Sequence, residues 1–415
     1  MKILFALHDF LPEHVGGTEI HTHELAQELQ RRGHEVAVLC TEFAMSGPKG
    51  AVVEREHAGV RVLEACHPRD YADAEESWEE PGSAKVFEDV VARERPDVVH
   101  CEHFAQWGTG VLRVARKLGV PAVATLHDYH LLCCNATLLR PDGTICDGDC
   151  SACFDGMRPP RAGAAARDAS ADARRAQHRA DLALAELLVA PSKFLEDLFV
   201  RRGFARREQM VRLDSGVVGP WRDPQPSDPR RPLRVGYVGG LYPSKGVHLL
   251  VEAFARLEPG IAELQVHGVL EWFPAYIDRL RALAGDRSDI RFCGRFPPDR
   301  VDAILDGLDV IVTPSVWYEN RPLTMQAAYR RGVAVVASDL GGMAELAEHG
   351  RSARLFPPGD VGALAEALRG LARDRGALLA LAQARPRMLT MPEVATAHEA
   401  IYRRAIGQAQ ARATN

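Results

Sequence analysis

The sequence predicts an α/β protein of two doubly wound, parallel-sheet domains facing a cleft, and three observations carry the prediction. Short runs of aliphatic and β-branched residues alternate with segments of helical periodicity along nearly the whole chain. The strand-like runs are apolar at almost every position, which marks strands covered by helices on both faces, as in parallel sheets. At 415 residues the chain exceeds one ordinary domain, and near its middle Gly216, Gly219, Pro220, Pro224, Pro226, Pro229 and Pro232 crowd into a stretch that can continue neither sheet.

Taken in order, Lys2–Leu7, Glu35–Cys40, Asp97–Cys101, Ala122–Leu126 and Leu187–Ala190 read as strands of a first domain, residues 1–216. Thr18–Arg32 and Val111–Leu118 suit its crossover helices. Residues 217–232 read as a linker. Leu233–Val238, Glu263–His267, Asp309–Thr313 and Val333–Ala337 read as strands of a second domain, residues 233–392, with Val247, Leu250, Val251, Phe254 and Leu257 on one helix face. The tail, residues 393–415, reads as a polar helix. Phe43–Tyr71 and Cys133–Arg179 carry no decipherable pattern and read as loops. Within the latter, Arg158–Arg179 is rich in Ala and Arg, and reads either as a solvated helix or as a basic face for an anionic acceptor or membrane surface.

Composition narrows the class. Apolar residues make up 46% and charged residues 26%, the profile of a soluble globular enzyme. A net charge of -5 lacks the basic footprint of a nucleic-acid binder. The apolar run from Met1 to Leu7 stops at His8-Asp9, too short for a signal peptide, and no segment reaches the roughly 18 apolar residues of a membrane span. Nine cysteines, an odd number in a long chain, suit reduced thiols. The expected location is therefore cytoplasmic, with peripheral contact at the inner face of the membrane left open.

In doubly wound domains ligands bind beyond the carboxyl ends of the strands, so the chemistry belongs in four strand-to-helix loops. The first ends in Gly16-Gly17-Thr18-Glu19, where paired glycines let the backbone approach a ligand and a helix start offers N–H groups. No G-x-G-x-x-G fingerprint follows the strand, which argues against a nicotinamide site. The second is Thr125-Leu126-His127-Asp128-Tyr129-His130, whose His127 is either a hydrogen-bond donor to substrate or a packed strand-end histidine. In the third, Gly239-Gly240-Leu241-Tyr242-Pro243-Ser244-Lys245-Gly246, a glycine turn sets Lys245 at a helix start, two features that attract phosphate. The fourth runs from Thr313 through Glu319-Asn320-Arg321-Pro322-Leu323, with Pro322 suited to the first helical turn. A carboxylate such as Glu319 can accept hydrogen bonds from sugar hydroxyls, worth roughly 1.5–3 kcal/mol each; alone it reads equally as a helix-start acid.

Gly16-Gly17-Thr18-Glu19, Arg32-Gly33-His34-Glu35-Val36, His127-Asp128, Ala190-Pro191-Ser192, Gly239 to Gly246 and Tyr318 to Gly350, in this order and spacing, resemble the retaining nucleotide-sugar-dependent glycosyltransferases of GT-B fold, of the family 4 type that builds bacterial polysaccharides and glycosylated natural products. The resemblance spans nearly the whole chain. It implies two Rossmann-like domains, the first binding a hydroxyl-bearing acceptor and the second a UDP-, GDP-, ADP- or dTDP-sugar, with the C-terminal helix packing back toward the first. Lys245 would hold the donor diphosphate, with Gly240 in the same turn. Glu319 would bind hydroxyls of the transferred sugar, helped by the backbone of Asn320, Arg321, Pro322, Leu323 and Thr324. His127 would face the donor sugar, Gly16 and Gly17 would lie near diphosphate and acceptor, and Glu345 would order a loop. The family mechanism needs no catalytic metal: the acceptor hydroxyl attacks the face the nucleotide leaves, and a departing phosphate oxygen takes its proton.

Two positions depart from the pattern. The family usually carries a second glutamate, separated from the first by seven residues, to grip the nucleotide ribose, and here that position is Ala327; losing one or two such bonds weakens donor binding roughly ten- to a hundredfold or more. Gln326 beside it points about 100° away around a helix. Many relatives carry an arginine where this chain has Gly240. Three readings follow: an active enzyme with unusual donor recognition, a weakened or engineered variant, and a non-catalytic binding or partner subunit. A sugar-nucleotide epimerase is a further alternative.

Cys133, Cys146, Cys150 and Cys153 mark an insertion at residues 133–153, beside Cys134. Their spacing suits a structural zinc site, with His130, Asp147 or Asp149 as replacement ligands. Reduced thiols and a disulfide are the other two readings.

Overall fold

The computed structural model describes residues 1–43, 45, 47–67, 78, 79, 81–146, 148, 150, 153 and 164–414. Asp147, Asp149 and parts of the two segments read as loops lie outside the described residues. The chain forms two compact units, Met1–Gly216 with Leu389–Asn415, and Val217–Met388.

In the first unit β1 (Lys2–Ala6), α1 (Gly17–Arg31), β2 (Glu35–Glu42), β3 (Val52–His57), β4 (Val60–Cys66), α2 (Pro81–Glu94), β5 (Val98–Cys101), α3 (Gly110–Lys117), β6 (Ala122–Thr125), α4 (Ala164–Leu182), β7 (Leu187–Ala190), α5 (Lys193–Arg201) and β8 (Met210–Arg212) follow in order. The sheet runs β3-β4-β2-β1-β5-β6-β7-β8, parallel throughout except for the β3/β4 pair. Strand order reverses between β1 and β5, and this is the sheet's switch point, where the loops diverge and leave room for a ligand. The segment read as a loop from Phe43 holds the β3–β4 hairpin, closed by Ala58 (φ 48°) and Gly59 (φ 84°), both left-handed as a type I′ turn requires.

The second unit carries β9 (Leu233–Val238), α6 (Val247–Ala255), β10 (Ala262–His267), α7 (Pro274–Ala284), β11 (Ile290–Gly294), α8 (Val301–Asp306), β12 (Val310–Thr313), α9 (Leu323–Arg331), β13 (Ala334–Ser338), α10 (Gly341–Leu346), β14 (Arg354–Phe356), α11 (Val361–Arg373) and α12 (Arg375–Gln383). Its sheet runs β11-β10-β9-β12-β13-β14, all parallel, with the switch point between β9 and β12. Successive residues serve opposite faces. On one, Val310, Val312 and Val336 join the core under α6, α7 and α11; on the other, Ile311, Val335 and Ala337 join Met325 and Tyr329 of α9. Burying each such side chain contributes roughly 1.5–3 kcal/mol. Residues 217–232 belong to this unit: Arg222 N–H donates to Arg330 O at 2.9 Å, and Pro220 O accepts from Arg330 at 3.0 Å.

The last helix, α13 (Met391–Ala413), belongs to the first unit. Thr390 and Glu393 form a capping box at its start, and Val394, Ala395, His398, Ile401, Tyr402 and Ala405 form its buried stripe. The turn after α1 holds it: Arg32 Nη1 donates to Thr396 Oγ1 at 2.9 Å, and His34 Nε2 meets Glu399 Oε1 at 2.9 Å. Among the described residues no helix is long and apolar enough to cross a membrane.

Candidate functional site

In the second unit the loops leaving β9 and β12 close on each other at the switch point. The glycine turn after β9 runs into a single 3₁₀ turn, Pro243–Lys245, and Gly246 (φ 67°) starts α6. A Cβ on Gly246 would lie 1.9 Å from Pro314 O, so the two loops touch only because residue 246 has no side chain. Val316 N–H donates to Ser244 O at 2.9 Å, and Thr324 Oγ1 donates to Val238 O at 3.1 Å, tying the start of α9 to the end of β9. The start of α10 supports the loop from below. Gly342 N–H donates to Glu319 O at 2.7 Å, in a space where a Cβ would lie 1.7 Å from Asn320 O.

This clasp brings Lys245 Nζ within 2.6 Å of Glu319 Oε1. The same oxygen accepts from Ser315 Oγ at 2.7 Å and Trp317 Nε1 at 2.8 Å. Lys245 Nζ also stands 4.9 Å from the Trp317 ring centre and 5.7 Å from that of Tyr242. Burial works against the lysine charge, but Glu319 outweighs it, and the pKa of Lys245 lies above its ordinary value. Asn320 is buried, and Pro322 stands at the N-cap of α9, one position before the first turn expected for it. Ala327 is half-buried on α9. Gln326 is fully buried and donates to Arg321 O at 3.3 Å, so it faces the core.

In the first unit the switch point carries a different set. Glu102, directly after β5, is 0% exposed, and its Oε2 lies 2.6 Å from His127 Nε2. His100 Nδ1 stands 3.4 Å from the other oxygen, while also meeting Tyr402 OH of α13 at 2.8 Å. Burial raises the Glu102 pKa, but His100 and His127 prevail and hold it well below the carboxylate range. Burial pushes His21, His100 and His398 down to about 4, against the pull of Glu102 on each of them. A second pair, His103 Nε2 and Asp128 Oδ2, lies at 3.1 Å. A third, His8 Nε2 and Glu19 Oε1, lies at 3.4 Å, and the His8 and His103 rings stand 4.1 Å apart. Gly16 caps α1, and a Cβ there would meet Glu19 Oε2 at 2.4 Å; α1 itself begins at Gly17.

Lys245, Glu319 and the Asn320–Thr324 segment are thus assembled around one switch point, and His127, Gly16 and Gly17 around the other. The cysteine expectation fares differently. Cys133, Cys146, Cys150 and Cys153 are buried and none is in a disulfide, which removes the disulfide reading. Among the described residues, the group of three or more potential ligands within 4.8 Å of one another is His21, Glu102 and His127. Burial raises the pKa of Cys150 and Cys153, and Cys133 and Cys146 lie near enough to raise both further. Arg175 Nη1 contacts Cys150 Sγ at 2.9 Å. Sequence reasoning passed over Glu102, His21 and Tyr242. Glu102 closes a strand, where it reads as an ordinary solvent-facing end, and its pairing with His127 comes from the β5/β6 register.

Two family models match the chain: "Glycosyltransferase Family 4" over residues 15–217 and "Glycosyl transferases group 1" over residues 232–374. The glycogen synthase of Mycobacterium tuberculosis is 27% identical, with 97% of this chain and 94% of that protein aligned. The sucrose-phosphate synthase of Thermosynechococcus elongatus superposes with a TM-score of 0.73 at 20% identity, covering 98% of this chain and 99% of that one. Anabaena HepE, solved in complex with UDP and glucose, gives a TM-score of 0.64 at 20% identity over 100% of both chains. With paired Rossmann-like units, these matches place the chain among the GT-B glycosyltransferases of the family 4 type.

Proposed function

We propose that the protein transfers a glycosyl group from a nucleoside-diphosphate sugar to an acceptor hydroxyl, with retention of anomeric configuration and no metal on the reaction path. The observation that carries the reading is the Lys245–Glu319 pair, clasped between two loops at a switch point. Without ligand, each residue neutralises the other. A diphosphate offers Lys245 a stronger partner, and the freed Glu319 oxygen can then accept from a sugar hydroxyl. As the bond from C1 to the diphosphate oxygen breaks, the acceptor oxygen bonds to C1 on the same face, and its proton passes to the departing phosphate. Lys245 and the N–H groups at the start of α9 stabilise the growing charge. His127 faces the sugar, and Glu102 fixes its ring. HepE was solved with UDP and glucose, and a starch synthase IV domain of the same fold with ADP, which supports a nucleotide-sugar donor. The acceptor belongs to the first unit, and the reaction to glycan or glycoconjugate synthesis.

A thermal-shift screen of UDP, GDP, ADP and dTDP and their sugars tests this, because a ligand of the native state raises Tm with the logarithm of its concentration over Kd. The expected result is one selective nucleotide whose shift is lost in Lys245→Ala. Silence toward all of them in both the chain as it stands and Ala327→Glu would sink the donor site. Ala327 and Gly240 favour a second reading, a subunit that binds donor without turning it over; binding without product when acceptors are supplied would establish it. NMR of the product tests retention. A structural zinc on Cys133, Cys146, Cys150 and Cys153 is proposed on their spacing alone, and metal analysis finding none would end it.

A further inference from the structure

We propose that Tyr242 is a second hydrogen-bond donor to the departing diphosphate, acting beside Lys245; the proposal rests on the donor-site reading above. Gly240 lies outside the left-handed region, so its backbone conformation does not call for glycine. What calls for glycine is the Tyr242 ring. A Cβ on residue 240 would lie 2.3 Å from Cε1 of Tyr242, with Cδ1 and Cζ at 3.1 and 3.2 Å. The ring therefore occupies the space where a side chain at 240 would begin. It is held there against Phe273, with ring centres 5.9 Å apart, while Tyr237 OH donates to Gly240 O at 2.7 Å and fixes the backbone beneath.

Tyr242 is half-buried, and Lys245 Nζ sits 5.7 Å from its ring centre. The phenol and the ammonium thus share one edge of the glycine turn. An ammonium has three donors and no acceptor, so the phenol oxygen can receive from Lys245 but cannot give its proton to it. The O–H must find its acceptor elsewhere, and an anion drawn to Lys245 supplies one at the same place. When the C1–O bond breaks, charge grows on that phosphate oxygen and the phenol hydrogen bond strengthens with it; no proton is transferred.

The test measures binding of the nucleotide selected by the screen, as diphosphate and as monophosphate, to the full chain and to its Tyr242→Phe variant, which keeps the ring and its packing. The diphosphate-over-monophosphate preference should fall about tenfold, as expected for one hydrogen bond to a charged group. Removing the ring and restoring donors from the neighbouring position, in Gly240→Arg/Tyr242→Ala, should recover the preference that Tyr242→Ala alone loses. If Tyr242→Phe leaves the preference unchanged while Lys245→Ala lowers it, the phenol has no such role and the donor site stands. If both variants fold and no nucleotide binds any form of the chain, the donor reading falls and this assignment with it.

Discussion

The two units place their polar residues at the same topological position and fill it with opposite chemistry. In the first, Glu102 is buried among His21, His100 and His127, with further His–carboxylate pairs at His103–Asp128 and His8–Glu19. In the second, one lysine and one glutamate meet among Ser315, Trp317 and Tyr242. Burial lowers the pKa of the His21 and His100 imidazoles, whereas Glu319 raises that of the Lys245 ammonium against its burial. The same scaffold therefore supports imidazoles around one buried carboxylate in one unit and an ammonium–carboxylate pair in the other.

The comparison can be broken most directly at the ammonium–carboxylate pair. Lys245→Ala or Glu319→Gln should lower transfer kcat/KM by about 10²–10³, the scale of losing one preorganised electrostatic contact in a water-poor site. A loss below threefold in steady-state kinetics would remove the second unit's pair from the chemistry. Glu102→Gln keeps shape and burial but loses the charge that holds His127, and should cost about tenfold or more in kcat. It should also move the pH–rate profile, which a purely structural glutamate would not do. Gly246→Ala should separate the two clasping loops, since the new methyl group meets Pro314 O and strains a left-handed residue. About 2 kcal/mol of stability and a Tm drop of roughly 4–8 °C are expected by calorimetry.

A last effect concerns acid. Burial lowers His21, His100 and His398 to about 4 from 6.5, and lowers His130 and His178 as well. The unfolded chain therefore takes up protons first as pH falls. The stability these residues confer is complete above about 6.5 and drains away toward 4. Glu102 adds to the loss at lower pH, while His103, raised by Asp128 against its burial, opposes it. Hydrogen exchange corrected for its own pH dependence should show the first unit loosening before the second, in which His248 and His267 are the lowered histidines.

Much of this was legible in the sequence because buried parallel strands write themselves as unbroken apolar runs: β1, β2, β5, β6, β7, β9, β10, β12 and β13 follow the expected segments within one or two residues. The β3–β4 hairpin was not legible. Its edge strand β3 has half its residues exposed, and its turn is Ala58-Gly59, lacking the Asn-Gly or Asp-Gly signal. Strands β8 and β14 are three residues long, too short to show a period. Within the site, Lys245, Glu319 and His127 were visible in their loops, while Glu102 and the packing of Tyr242 were not. Their setting comes from strand register in one case and from a neighbouring glycine's missing side chain in the other.

The placement of α13 has a consequence for synthesis. The first unit is written in two pieces, with the whole of the second unit between them. A nascent chain can complete the contiguous second unit while the first still lacks the helix that supplies Tyr402 to His100 and His398 to the histidine cluster. Until residues 391–413 have emerged, Val394, Ile401 and Tyr402 are missing from the apolar layer beneath β1 and β5. The half-made first unit is then the aggregation-prone species, and chaperone demand should peak just before residues 391–413 emerge.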